Sequence, residues 1–322
     1  MGTADQDDAQ RFAVRSALVG AVLWSVLGVS FFLDVAQMEL IPVLFLLGPL
    51  VAAPLGLGLL CRDPESNQLL GRLDRFTLRI QLVAAVVAAL SFFFPAGPEA
   101  GLLAGAWLPI CALVAVPAVS KLARRRVPST AEACFLLARL YLLVGGVWLV
   151  LSRLGVEALG FAEPVVILTA VHFHFAGFAT ALIAGATARA LSAADGHASP
   201  ELRIVSWVVI LGPAFLALGF LVSLAARAVL AMFFAAGLLA FSASVQTRMG
   251  RLPAAVRPLL SVSNAALTFG MILAVIYAFG EYTGRDRLII PQMARWHGVA
   301  NGLGFTLCGL LAWHRVPQEA TT

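Results

Sequence analysis

The sequence predicts an all-α, polytopic integral membrane bundle of about ten spanning helices with both termini cytoplasmic. Three observations carry this. Of the 322 residues, 61% are hydrophobic and only 12% charged, where a soluble domain carries about 25% charge. The apolar residues fall in runs of roughly 18 to 24, the length that crosses a hydrocarbon core of ~30 Å as helix. Those runs lack the period-two alternation of a closed β-barrel, the other structure that can span lipid. A lipid bilayer is therefore the first partner implied, and the net charge of +5 is no nucleic-acid footprint, because the basic residues sit in short loops between spans.

The elements follow in order. The acidic, polar segment 1–11 reads as a disordered cytoplasmic tail, and the run after it reads as a true first span, with no small-residue cleavage pattern of a signal peptide. The ten spans are placed at Phe12–Leu33, Leu40–Cys61, Phe76–Phe94, Gly101–Ser120, Thr130–Leu151, Pro164–Ala190, Leu202–Leu224, Ala228–Val245, Pro258–Gly280 and Trp296–Trp313. Residues 12–313 thus form a single transmembrane domain, and 314–322 a second cytoplasmic tail. No internal repeat is obvious in the residues themselves. With the N-terminus inside, the inner segments hold 16 Lys/Arg and the outer loops 5, so the positive-inside rule sets the orientation. Lys121-Leu-Ala-Arg-Arg-Arg126 is the clearest cytoplasmic marker. Cys61, Cys111, Cys134 and Cys308 lie in or at the ends of apolar spans without a CxxC, so they read as small core residues.

The informative residues are the polar ones inside these spans. His172 and His174 stand in His-Phe-His-Phe-Ala-Gly-Phe, eight and ten residues in from Pro164. That is ~12 to 15 Å deep at 1.5 Å per residue, close to the midplane. Ionisable groups at that depth face a bundle interior or a cavity and mark function by default. Two positions apart on a helix turns the side chains to nearly opposite faces, so they make a poor chelating pair and the sixth span reads as a central helix. The face with His174 carries Gly177, Ala181 and Gly185, a small-residue ladder that admits a close helix. A histidine that only hydrogen-bonds across that packing is the bland alternative.

The tenth span aligns His297, Asn301, Gly304 and Cys308 on one stripe, with His297 near the outer interface, and the ninth adds Ser261, Asn264 and Thr268. The hydroxyls and amides read first as packing groups. Arg139, nine residues into the fifth span, needs an anion, and Asp34, Glu39, Glu163 and Glu281 are the carboxylates considered for it. Together these suggest a cavity open to the outer half of the membrane. Its catalytic residues would be His172, His174 and His297, its substrate-binding residues Arg139, Asn301, Glu39 and Glu281, and it would need no metal and no cofactor.

His172-Phe-His174-Phe-Ala-Gly177-Phe178 and Met293-Ala-Arg-Trp-His297-Gly298-Val-Ala-Asn301-Gly-Leu-Gly304-Phe305 resemble the two best-marked segments of the YndJ-like family of bacterial multi-pass membrane proteins. The resemblance implies a helical protein of the bacterial cytoplasmic membrane with a His-x-His span as its signature, and it brings no activity. The chain departs from the pattern at Gly302, where alanine is expected. The segment is also similar to one in NnrS-like haem- and copper-associated membrane proteins, which prompts a haem- or metal-binding alternative with ligands from the sixth and tenth spans.

Two other functions fit the residues. A membrane-embedded enzyme would use histidine as acid and base on a lipophilic small molecule, in an isomerisation, cyclisation or hydrolysis. A proton-coupled transporter or channel would exploit the mid-span Gly and Pro residues. The absence of GxSxG, HExxH, paired DxxxD and P-loop motifs argues against serine hydrolase, zincin, metal-dependent prenyl and ATP-driven chemistry.

Overall fold

The computed structural model describes residues 3–33, 38–62, 68–123, 128–196, 199–285 and 287–316. They form helices α1 (Thr3–Phe32), α2 (Leu40–Leu60), α3 (Gln68–Phe93), α4 (Pro98–Ala123), α5 (Thr130–Leu154), α6 (Val165–Ala194), α7 (Pro200–Val222), α8 (Leu224–Thr247), α9 (Arg257–Thr283) and α10 (290–314). Nine of them, α1 to α9, are long and apolar enough to cross a membrane among the described residues. The tenth is helical at the expected place but carries Arg295, His297 and Asn301 along its length, which dilute its apolar character. The protein is an all-helical, multi-pass membrane protein.

α1 is helical from Thr3, well before Phe12, because hydropathy marks where a helix becomes apolar and not where it begins. Asp34, Arg124 to Arg126, Asp286 and the end of the 314–322 tail lie outside the described residues. The chain divides into two compact units, one holding residues up to Val127 with Leu136–Ala179, the other holding Pro128–Phe135 with Thr180 onward.

In the first unit α2, and not α6, is the most enclosed helix: its most apolar stretch is 100% buried against 72% for α6. α1 fits closely against it. A Cβ on Gly20 would come within 1.9 Å of the Leu50 carbonyl oxygen, and Trp24 Nε1 donates to the Val43 carbonyl at 2.7 Å.

Three of the described helices carry π segments. α2 widens to π-helix over Gly48–Ala52, α6 over Phe173–Ala179, and α10 over Ala294–Gly298 and Ala300–Leu307. In α2 the cause is Pro49, which has no N–H to give; the Phe45 carbonyl takes the Gly48 N–H instead, and the Ala53 N–H reaches back to Gly48. In α6 and α10 side chains add bonds to the ladder: His172, His174 and Asn301 each donate to the carbonyl four residues earlier. Such π segments occur often at functional sites.

Candidate functional site

His174 is the centre of the first unit and is 1% exposed. Its Nδ1 lies 2.8 Å from the Ala170 carbonyl oxygen and its Nε2 3.0 Å from Trp107 Nε1. A carbonyl can only accept and an indole N–H can only donate. Nδ1 therefore carries the proton, Nε2 accepts, and the ring is a neutral imidazole in one tautomer. Phe45 stands nearly perpendicular to its ring, with centroids 5.0 Å apart. Gly48 and Gly145 let α2 and α5 close on it; a Cβ at Gly145 would stand 2.5 Å from Nδ1. One turn on, Gly177 seats Tyr141 of α5, where a Cβ would come within 2.7 Å of that side chain. The small-residue ladder read from the sequence is thus the face α5 packs against.

His172 points the other way, and its side chain is exposed. Its Nδ1 donates to the Leu168 carbonyl at 2.6 Å, which leaves Nε2 as an accessible lone pair. Of the two histidines, His172 alone keeps a nitrogen open to a ligand or a proton. His174 offers no lone pair to a metal, and among the described residues no three His, Cys, Asp or Glu side chains gather as a metal site.

Arg139 pairs with Asp74, which is not among the four carboxylates considered for it. Its NH1 and NH2 bind Asp74 Oδ1 and Oδ2, each at 2.7 Å, and NH1 also donates to the Val114 carbonyl at 3.2 Å. Both side chains are almost wholly buried. Asp74 was missed because Arg72, Arg75 and Arg79 make its surroundings look like a loop, whereas the helix already runs from Gln68 and turns Arg72 and Arg79 outward. The signal was available: Asp74, Thr77 and Gln81 share one face by i, i+3, i+7 spacing, and all three are buried. Glu163 instead closes the start of α6, accepting from Ser152 Oγ at 2.5 Å and from the Ile167 N–H at 3.1 Å. Glu39 stands exposed ahead of α2.

The remaining candidates fall in the second unit. His297 Nδ1 donates to the Gly270 carbonyl of α9 at 2.9 Å, and Asn301 Nδ2 donates to the His297 carbonyl at 2.8 Å. Asn301 lies flat on Gly270, where a Cβ would come within 2.4 Å of Nδ2. Glu281 pairs with Arg227 at 2.6 Å. On α9, Ser263 faces inward and donates to the Phe305 carbonyl at 2.8 Å, while Ser261 is exposed.

These polar groups hold the two segments that a family model described as YndJ-like protein spans, over residues 43–305. The chain belongs to the YndJ-like family. A YndJ-like relative from Bacillus subtilis (strain 168), named "Uncharacterized membrane protein YndJ", is 28% identical over 236 residues, covering 72% of this chain and 41% of the relative. The chain thus spans less than half the length of that curated YndJ relative. No solved structure matches it.

Proposed function

We propose that this protein is a membrane-embedded enzyme that moves protons on a lipophilic small molecule, with His172 as the acid–base group. The observation that carries the reading is the asymmetry of the histidine pair. His174 has both nitrogens committed to Trp107 and Ala170, whereas His172 holds Nδ1–H to Leu168 and presents Nε2. A neutral imidazole with one fixed N–H and one open lone pair is poised as a general base, and as an acid once it has taken the proton. His174 then serves as a positioning residue: it anchors the start of the π segment that directly follows His172. The surrounding apolar helices suit a substrate drawn from the bilayer. A bacterial cytoplasmic membrane with both termini inside is the setting that the charge distribution supports.

The test uses purified protein in detergent, membrane lipid extract, and water labelled with deuterium and oxygen-18. Isomerisation or cyclisation leaves solvent deuterium on carbon, and hydrolysis leaves oxygen-18. The reading expects a labelled lipophilic species by mass spectrometry with the wild type and none with a folded His172→Asn variant. Equal labelling by both proteins would overturn it.

A proton-coupled transporter is the second reading, favoured by the widened helices α2, α6 and α10, which can serve as hinges. It expects His172-dependent proton movement across proteoliposomes with no chemical change in the lipids.

A further inference from the structure

We propose that α7–α10 repeat the architecture of α3–α6, and that Ser206 and Asn264, at the positions of Asp74 and Arg139, line a buried neutral site for one polar oxygen. That oxygen belongs to water or to the hydroxyl or carbonyl of a small uncharged molecule.

The repeat shows first in the second helical hairpin of each set. Arg126-Val-Pro128 precedes α5 and Arg251-Leu-Pro253 precedes α9; Pro164 opens α6 and Pro291 opens α10. His174-x-x-Gly177-Phe178 in α6 matches Asn301-x-x-Gly304-Phe305 in α10, and each lies in a π segment. The contacts match as well. His174 rests on Gly145 and Asn301 on Gly270, and one turn along Gly177 meets Tyr141 as Gly304 meets Ala266. Tyr141 stands four residues before Gly145, and Ala266 four before Gly270.

The first hairpins agree by burial. Every buried residue of α4 from Trp107 to Ala118 has a buried counterpart in α8 at one constant offset, Trp107 matching Phe234 and Ala118 matching Val245. On α3, buried Leu70, Asp74, Leu78 and Gln81 match buried Leu202, Ser206, Ile210 and Pro213 on α7. The offset that takes Gly145 to Gly270 takes Arg139 to Asn264.

At the matched point the two sets differ in chemistry. The first closes it with the Asp74–Arg139 ion pair, backed by the Val114 carbonyl of α4. The second has Ser242 of α8, counterpart of the residue after Val114, donating to the Asn264 carbonyl at 3.3 Å. Ser206 is 0% and Asn264 6% exposed, and Ser206 Oγ and Asn264 Nδ2 are buried without a hydrogen-bond partner among the described residues. Unmade hydrogen bonds on buried atoms are costly, so such atoms are rarely left over. An amide N–H requires an acceptor, and a hydroxyl can give or take. By the repeat the two atoms face the point where Asp74 meets Arg139 in the first set, so one oxygen there satisfies both, and neither group carries a charge to attract an ion. This site does not depend on the reading of His172.

The test is a high-resolution cryo-electron microscopy structure of the full chain in lipid nanodiscs. The proposal expects non-protein density within hydrogen-bond distance of both Ser206 Oγ and Asn264 Nδ2. A single water or a larger molecule supports it, and the shape of the density separates the two sources. Side chains bonded to each other or to other protein groups, or empty space between them, would overturn it. A second arm tests the equivalence. Ser206→Asp and Asn264→Arg should each lower the yield of monodisperse protein several-fold, and the double variant should restore it. A double variant no better than either single would contradict the repeat.

Discussion

Trp107 Nε1 donates to His174 Nε2 over 3.0 Å, and this one hydrogen bond decides the chemistry of the buried histidine. Because the other ring nitrogen already donates to Ala170, the indole leaves His174 no free lone pair. Removing the indole should undo that. Trp107→Phe keeps most of the apolar volume but strands Nε2, and should cost about 1–3 kcal/mol. Thermal unfolding of purified protein checks it; an unchanged midpoint would mean that the bond contributes nothing.

The Asp74–Arg139 pair should behave as a buried ion pair whose halves are worse alone than absent together. Asp74→Asn or Arg139→Gln should each destabilise by about 3–5 kcal/mol, since each strands a buried charge. The Asp74→Leu, Arg139→Leu double variant should recover most of that loss. A double variant that loses the sum of the single effects would show that the pair is not an isolated couple.

Glycine substitutions should separate packing seams from open helix faces. Gly145→Ala and Gly270→Ala push a methyl into His174 Nδ1 and Asn301 Nδ2, at 2.5 and 2.4 Å. Both should cost about 1–3 kcal/mol, as overpacking does. Gly28 has nothing within 4 Å of a new Cβ. Gly28→Ala should be neutral or stabilising by up to about 1 kcal/mol from helix propensity. Equal losses at all three positions, read by thermal unfolding, would refute the packing argument.

The two histidines should fail differently. His172→Asn removes the exposed lone pair and should abolish proton transfer to lipid substrate while leaving the unfolding midpoint within a few degrees. His174→Ala removes two buried hydrogen bonds and an aromatic contact, and should lower the yield of folded protein. Activity retained by folded His172→Asn, or an undisturbed fold in His174→Ala, would reverse these assignments.

The membrane fold was legible because it rests on length and composition, and each of the ten expected spans coincides with a helix. The tenth was legible as a helix but falls short in apolar character, since Arg295, His297 and Asn301 share it. The site was legible only in part. His172 and His174 do point apart, yet α6 is π-helical from Phe173 to Ala179, which an even helical turn does not anticipate. Trp107 carried no sign that it would meet His174, since helix pairing is not written in local periodicity. Asp74 was hidden by the arginines around it. The repeat was hidden because its halves keep glycines, prolines and burial pattern while their apolar identities drift, and burial is visible only once the helices are packed.

The central claim is that His174 is a fixed neutral anchor while His172 is the open histidine. Solid-state NMR of protein in bilayers with 15N-labelled histidine measures it directly, with His172→Asn and His174→Gln variants assigning the signals. His174 should be neutral at pH 7 with its proton on Nδ1 and Nε2 bare, and the Nε2 resonance should shift in Trp107→Phe, which removes its donor. A His174 protonated on Nε2, or on both nitrogens, would contradict it.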